Sequence, residues 1–480
     1  MNKNLQNSAD GASQGPEPDS SESKTSRPDM RGDLTQGPIL RTMLLFSVPM
    51  LLSNVLQSLN GSINSMWVGR LLGESALAAT ANANILMFLV LATAIGLGMA
   101  TTVRIGQYFG ARNLQAVRAT FGTGLGICLL LSVVTGALGW LYASTLLRVL
   151  GTPEESVAQA LAYLRVIFAT VPFAVVSLIV SMALRGAGDS KTPLYAMIIT
   201  VVLDIGLNPL LIIGPGPIPT LGIAGSALAS ACANLVGTAY QIRQIYRRDL
   251  PLRLRGVELG YLIPRGAELR YIVSNGVPMG AQMLLMSSAG VIMIGLVNRE
   301  GLNATAAYGA SMQLWNYLQM PAFAVSSAVG AMVAQCLGAR KHARIGQVNR
   351  IGVISNLAMT TSLAALIVLN DRFLLGLFLG DDSPAMPVAE HIQLICTASF
   401  LCMSVTMILS GTMRAYGAVI APLVIMAISI YPARLGFYYL AYPHMGGGAV
   451  WWSFPVGGVA SLVLTWGYYG LGNWRSAYKG

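Results

Sequence analysis

The sequence predicts an all-α polytopic membrane protein, with twelve transmembrane helices in two pseudo-symmetric six-helix lobes. Three observations carry that expectation. The 480 residues are 54% hydrophobic and only 10% charged, with a mean hydropathy of +0.61, whereas soluble domains carry about 25% charged residues. Lys and Arg alternate between loops: seventeen follow the even-numbered hydrophobic segments and four the odd ones, so the even loops and both termini read as cytoplasmic. Finally, the chain repeats itself. Val48-Pro49-Met50 recurs as Val277-Pro278-Met279, Gly110-Ala111-Arg112 as Gly338-Ala339-Arg340, and Arg185 and Pro193 as Arg414 and Pro422, at offsets of 228 or 229. Six helices per half is an even number, so both halves enter the membrane the same way, as parallel repeats do in transporters.

The elements follow in order. Residues 1–41 form a Ser-, Pro- and Asp-rich disordered tail leading into the first helix, with no basic-then-apolar signal peptide. Hydropathy places helices at 42–67, 76–103, 119–143, 157–184, 194–214 and 221–243, which make an N-terminal lobe over 42–243. A cytoplasmic linker spans 244–269. Helices at 270–298, 303–334, 349–370, 389–412, 419–441 and 449–471 make a C-terminal lobe over 270–471, and 472–480 is a second cytoplasmic tail. Pro49, Pro172, Pro209, Pro278, Pro321, Pro422 and Pro432 fall inside these spans, where broken or kinked helices are expected. The small-residue run Gly122-x-Gly124-x-Gly126 suits close helix packing.

The fifth helix carries the chemistry. Asp204 sits roughly 15 Å from its Pro193 end, near the bilayer midplane at about 1.5 Å per residue. An Asp there costs about 2.5–3.5 kcal/mol, which makes it a functional candidate. Asn208 follows one turn later, and Pro209 leaves the Ile205 carbonyl without its helical partner. Gln57, Asn60 and Asn64 share one face of the first helix and are expected to face Asp204. Asp204, Asn208, Asn64 and Asn60 are therefore the candidate cation-coupling residues, for H⁺ or Na⁺. The packing alternative makes Asp204 a protonated group bonded to a neighbouring helix, and the amides interhelical glue.

Other classes are set aside on the same page. The net charge of +11 follows the loop alternation and does not indicate nucleic-acid binding. Five cysteines lie in apolar segments with no C-x-x-C, and three scattered histidines show no metal-ligand spacing, so no cofactor or firm metal site is expected, apart from Na⁺ at Asp204. Gly96-Leu97-Gly98 lacks the strand and helix of a nucleotide loop, and Asn303-Ala304-Thr305 is a glycosylation sequon by pattern only. In the eighth helix Tyr308, Gln313, Trp315 and Asn316 offer stacking and amide groups for a substrate cavity, with Gln57 and Met286. Trp315 suits a cationic drug if it faces inward and the lipid interface otherwise. Arg434 is read as neutralising a helix end or snorkelling to the interface.

The run Ser65-Met66-Trp67-Val68-Gly69-Arg70, the run Gly106-Gln107-Tyr108-Phe109-Gly110-Ala111-Arg112-Asn113, the stretch L-R-G-A-G-D-S-K-T-P at 184–193 and L-N-P-L-L-I at 207–212 resemble the multidrug and toxic compound extrusion (MATE) family, on its bacterial DinF-like side. The resemblance covers roughly residues 36–470. It implies export of organic cations or other amphipathic compounds in exchange for H⁺ or Na⁺, by a multi-pass, monomeric protein of the bacterial inner membrane. Some family positions differ here. The first-helix Asp of many members is Asn64, the Glu of another branch is Met286, and the Asn-then-Asp order of DinF-like members is reversed in Asp204 and Asn208. With one carboxylate where relatives have two, H⁺ is the favoured ion. A flippase for a lipid-linked sugar is the alternative, expected to show a strongly cationic cavity; Arg165 and Arg434 are the only intramembrane cations read from the spans. A membrane-embedded transferase needs paired carboxylates or a His cluster, and the adjacent acidic pairs, Glu154-Glu155 and Asp381-Asp382, lie on outer loops with no partner motif. The outer-loop acids Glu154, Glu155, Asp381, Asp382 and Glu390 are expected to be dispensable for transport.

Overall fold

A computed structural model describes residues 32–149, 154–214, 220–380 and 382–478, the side chains at 74, 75, 77–79, 81, 82, 85 and 154–156 excepted. The tail before residue 32, Asp381 and the side chains of Glu154 and Glu155 thus lie outside the described residues. The helices are α1 (Ile39–Leu72), α2 (Glu74–Gly110), α3 (Leu114–Leu141), a short α4 (Ala143–Val149), α5 (Glu154–Gly186), α6 (Lys191–Ile213) and α7 (Ile223–Arg247). A 3₁₀ turn (Gly256–Leu262) precedes α8 (Gly266–Arg299), α9 (Leu302–Gly338), α10 (His342–Leu369), a short α11 (Asp371–Leu379) and α12 (Met386–Ala415). The next span is composite: α13 (Ile420–Ile428), a π-helix (Ser429–Leu435) and α14 (Gly436–Met445), followed by α15 (Gly448–Leu471). Twelve spans are long and apolar enough to cross a membrane, and among the described residues there is no strand.

The helices outrun their hydropathy limits, because helical hydrogen bonding continues into polar turns beyond the apolar slab. Of the seven prolines named above, Pro49, Pro172, Pro209, Pro278 and Pro321 lie within continuous α-helix and Pro422 in the first turn of α13. Only at Pro432 does the α-helix give way, to the π-helix. The expected breaks therefore reduce to one.

The internal repeat is written in the backbone as well. Arg112 and Arg340, two residues beyond α2 and α9, both adopt positive φ (59° and 57°), and Gly188 and Gly417 do likewise (82° and 88°). The two halves meet around these repeated turns. The Gln107 amide donates to the Ala415 carbonyl at 2.7 Å, and its counterpart Gln335 donates to Gly186 at 3.3 Å, a reciprocal pair of the kind a two-fold axis produces. Gly110 lies against the Gln335 backbone and Gly338 against that of Gln107, so closely that a Cβ on either would strike a carbonyl oxygen. At this closed end α2 packs on α8 and α9, and α1 on α9.

Two more elements brace the closed end. The segment after Gly32 bonds across α9 and α10: Leu34 N–H to Gln335, the Lys341 ammonium to Thr35, and Arg344 to the Gln36 and Gly37 carbonyls. Glu268, in the first turn of α8, accepts from Tyr108 (2.7 Å) and Thr120 (3.0 Å) and pairs with Arg104 at 3.4 Å. The glycine run of α3 serves helix packing only in part. Gly124 meets Thr101 of α2, but Gly122 and Gly126 receive Tyr261 and Leu262 of the 3₁₀ turn. α9 is the most buried span, rich in Ala, Ser and Gly, which let neighbours approach.

Candidate functional site

Two polar sites lie inside the bundle, one in each half. The first is built on α6. Asp204 and Asn208, one turn apart, are both fully buried. Asp204 Oδ2 accepts from Asn60 Nδ2 and Asn64 Nδ2 of α1, each at 2.7 Å. Asp204 Oδ1 accepts from Asn208 Nδ2 at 2.8 Å and from Ser230 Oγ of α7 at 3.0 Å. Asn208 Nδ2 also reaches Asn64 Oδ1 at 3.0 Å, and Asn234 holds the Ser230 carbonyl one turn along α7. Four residues on three helices therefore aim N–H or O–H hydrogens at one carboxylate. None of the ion pairs among the described residues involves Asp204. The side-chain oxygens of Asn60 and Asn208 are buried with no hydrogen-bond partner.

The four sequence-read coupling residues thus come together. Gln57 does not join them: it shares the face of Asn64 but lies two turns away along α1, about 10 Å, and is exposed. Ser230 and Asn234 were not singled out in the sequence. Their four-residue spacing on α7 is a signal, but an intramembrane Ser more often bonds its own helix's carbonyl.

The second site is a cavity of about 490 Å³ among α8, α9, α12, the composite span and α15, reached at one end by α1, α2 and α5. That is the size of an ordinary small-molecule pocket. Tyr308, Trp315, Asn316 and Met286 line it, as the sequence suggested; Gln57 and Gln313 do not. Gln313 lies about 100° round α9 from the lining residue Met312 and points outward. Gln57 lies two turns along α1 past Met50, the last α1 residue to reach the cavity. Trp315 is buried, not interfacial. Its indole N–H donates to Gln393 Oε1 at 2.7 Å, and its ring sits 5.5 Å from Phe400 and from Phe454 and 5.9 Å from Tyr308. Eleven methionines share the lining, so nearly half of the chain's 23 provide one soft, adaptable wall.

The cavity's charge departs from the sequence reading. Arg434 neither snorkels nor neutralises a helix end; it projects from the π-helix into the cavity, its guanidinium 3.5 Å from the Phe454 ring centroid. Arg185 and Arg414, counted above as loop cations, line the same cavity. They are last-turn residues of α5 and α12, and those helices end at Gly186 and Ala415, past their hydropathy limits of 184 and 412. Arg414 donates to Gln282 Oε1 at 3.2 Å. Among the described residues, no Asp or Glu lines the cavity.

A family model described as MatE matches residues 49–210 and 278–440. The chain is 36% identical over 433 residues to the probable multidrug resistance protein YoeA of Bacillus subtilis (strain 168), covering 90% of this chain and 93% of that one. It is 29% identical over 445 residues to YpnP of the same organism, also a probable multidrug resistance protein, covering 92% and 98%. Among solved structures, the outward-facing conformation of a multidrug resistance MATE family transporter of the MOP superfamily aligns with a TM-score of 0.84 at 20% identity, over 94% of this chain and 99% of that chain; at that identity the likeness speaks for the fold.

Proposed function

The chain belongs to the MatE family of multidrug efflux transporters, and we propose that it exports amphipathic organic compounds by antiport against H⁺, with Asp204 as the proton-carrying group. As a multi-pass membrane transporter it is not an enzyme, and transport of this class needs no cofactor. The observation that carries the coupling proposal is the fully buried Asp204 carboxylate, held by Asn60, Asn64, Asn208 and Ser230 with no ion-pair partner among the described residues.

An exchanger needs ion and substrate to bias one conformational equilibrium. A proton on Asp204 does this by hydrogen-bond arithmetic. Four donors face two oxygens, and once an oxygen becomes O–H at least one donor loses its acceptor. An amide then has to turn, and the partnerless oxygens of Asn60 and Asn208 are ready acceptors for the new O–H. Because three of the four donors come from α1 and α7 while the acid is on α6, that exchange changes how three helices pack. Na⁺ fits less well: a hard cation needs lone pairs around it, and this carboxylate is surrounded by N–H and O–H hydrogens.

The loop charges support placing both termini and the closed end at Gly110 and Gly338 on the cytoplasmic side of a bacterial inner membrane. The repeat supports the lobes 42–243 and 270–471 as the units that rock about that end, and each chain carries a complete pair, so a monomer suffices. In this reading the closed cytoplasmic end leaves the cavity to discharge outward, and protonation of Asp204 from outside resets the cycle.

The test is efflux from proteoliposomes with imposed H⁺ or Na⁺ gradients applied separately. An H⁺ gradient should drive efflux by the wild type and not by Asp204→Asn. Efflux driven by Na⁺ alone would remove the proton assignment, and normal gradient-driven efflux by Asp204→Asn would leave Asp204 a packing residue.

A further inference from the structure

The C-terminal cavity holds a cation whose partner is absent from the protein. Arg434 Nε and Nη2 are buried, and neither has a hydrogen-bond partner. Its nearest compensation is the face of Phe454, and a desolvated cation–π contact of that kind contributes about 2 kcal/mol or somewhat more. Withdrawing a guanidinium from water costs several kcal/mol even after relaxation. An arginine kept for structure would spend its hydrogens on carbonyls or a carboxylate, as Arg414 does on Gln282 and Arg118 on Glu258. Arg434 does neither, and among the described residues no Asp or Glu lines the cavity to approach it.

The two open atoms matter for a geometric reason. Nε–H and Nη2–H run parallel along one edge of the guanidinium plane, the fork that matches the two oxygens of a carboxylate, sulfonate or phosphate. The surroundings hold that fork in place. The π-helix of Ser429–Leu435 re-aims the side chain, and π-turns of this kind recur at functional sites. Gly457 of α15 leaves room for the side-chain stem: a Cβ there would come within 3.2 Å of Arg434 Cβ and 3.3 Å of the Ser429 carbonyl oxygen. Beside the fork stand Tyr308, Trp315, Phe400 and Phe454, an aromatic wall, with methionines completing the cavity.

Register adds a second line. The repeat offset is 229 up to Pro193 and Pro422, and a π-helix accommodates one extra residue. The two stretches matched by the family model begin 229 residues apart and end 230 apart. Arg434 lies within that π-helix, where the offset passes from 229 to 230, so it falls within one residue of the position that repeats Asp204. The N-terminal half thus buries an acid, surrounded by donors, where the C-terminal half buries a base with its donors free.

We propose that this cavity recognises amphipathic organic anions: an aromatic or lipophilic body against Tyr308, Trp315 and Phe400, with a carboxylate, sulfonate or phosphate bidentate on Arg434 Nε and Nη2. The inference deepens the export reading and relies on it only for the fate of the ligand, not for its binding. Arg185 and Arg414 at the far end of the cavity raise the local potential and favour anion entry.

The test is equilibrium dialysis on the full chain in lipid nanodiscs, with empty nanodiscs subtracted, using three probes of one ring system: pyrenebutyrate, pyrenebutanol and pyrenebutyltrimethylammonium. The wild type should bind the butyrate about tenfold or more tighter than the alcohol, and the trimethylammonium probe most weakly. Arg434→Gln should remove the butyrate preference and leave the alcohol within about twofold. Arg434→Lys keeps the charge and loses the fork, so it should fall between, and it also answers the case in which the glutamine variant fails to fold. Trimethylammonium bound as tightly as butyrate by the wild type, or butyrate affinity unchanged in a folded Arg434 variant, would overturn the proposal. So would displacement of the probe by an anionic phospholipid but not by soluble naphthoate, which would assign the site to a lipid headgroup. Butyrate preference without any gradient-driven efflux would instead sink the export reading and leave this site standing.

Discussion

Asp204 and Arg434 occupy related helices in the two halves and are treated in opposite ways. Asp204 is satisfied from within, by Asn60, Asn64, Asn208 and Ser230. Arg434 is left open, with two buried donors facing a cavity. A group satisfied by its own protein can take up or give up a small ion by rearranging neighbours. A group left unsatisfied waits for a larger partner from outside. The difference assigns coupling to one half and substrate recognition to the other, and it rests on hydrogen bonds more than on the sign of the charge.

The largest effect that tests this division is at Asp204. Asp204→Asn should insert and fold, since removing a buried charge lowers the insertion cost, with a loss of about 1–3 kcal/mol where amide hydrogens now face donors. Gradient-driven efflux should fall to background while probe binding at the cavity survives. Loss of both in a folded protein would merge the two sites into one.

Next in size is the contact through which both sites must act. Valine at Gly110 or Gly338 forces its side chain against a backbone carbonyl, so the closed end cannot form. Efflux should drop by about tenfold or more with either valine, while accessibility of a cysteine placed at Met50 to cytoplasmic-side thiol reagents should rise. Efflux at wild-type rate would mean that this face does not close in the cycle.

Smaller still are changes that disturb one site and spare the other. Gly457→Ala crowds the Arg434 stem and the Ser429 carbonyl, at roughly 1 kcal/mol of strain. Anion-probe affinity should weaken a few-fold, with the response of efflux to the H⁺ gradient retained. Ser230→Ala removes one of four donors, about 1 kcal/mol of hydrogen bonding, and should slow efflux without altering probe affinity. If each variant instead disturbed the other site's readout, the division of labour would fail.

The smallest effect is a control on pH. Burial raises the Asp33 carboxyl, but hydrogen bonds from Thr35 and Gln36 and the Lys341 charge outweigh it and hold it below its ordinary value. A carboxylate so lowered stabilises the folded chain above its unfolded pKa of about 3.9, and that contribution is lost only as pH falls through the lower folded value. Between pH 5 and 8 Asp33 stays ionised. Asp33→Asn should therefore leave the pH profile of efflux unchanged and loosen only the bracing of α9 and α10, read as faster proteolysis after residue 31. A shifted profile would place a coupling group outside the bundle.

The twelve spans, the duplication and the meeting of Asn60, Asn64 and Asn208 with Asp204 were legible in the amino-acid order. These depend on properties a chain carries locally: apolar run length, charge alternation, a three-or-four-residue spacing and a repeat offset. Only the packed bundle decided the rest. Gln313 turned away from the cavity and Trp315 turned in, because a helical side chain's direction changes by about 100° per residue and the neighbouring helix sets which direction is inward; Gln57 keeps the face of Asn64 but sits two turns from it. Arg185 and Arg414 moved from the loop count into the cavity wall because their helices continue past the apolar limit. Arg434 became the open fork because one extra residue is wound into a π-turn around Pro432, and because Gly457 on a different helix leaves room for its stem. Hydropathy is a sum over neighbours in sequence, whereas burial with free donors depends on which atoms other helices fail to bring.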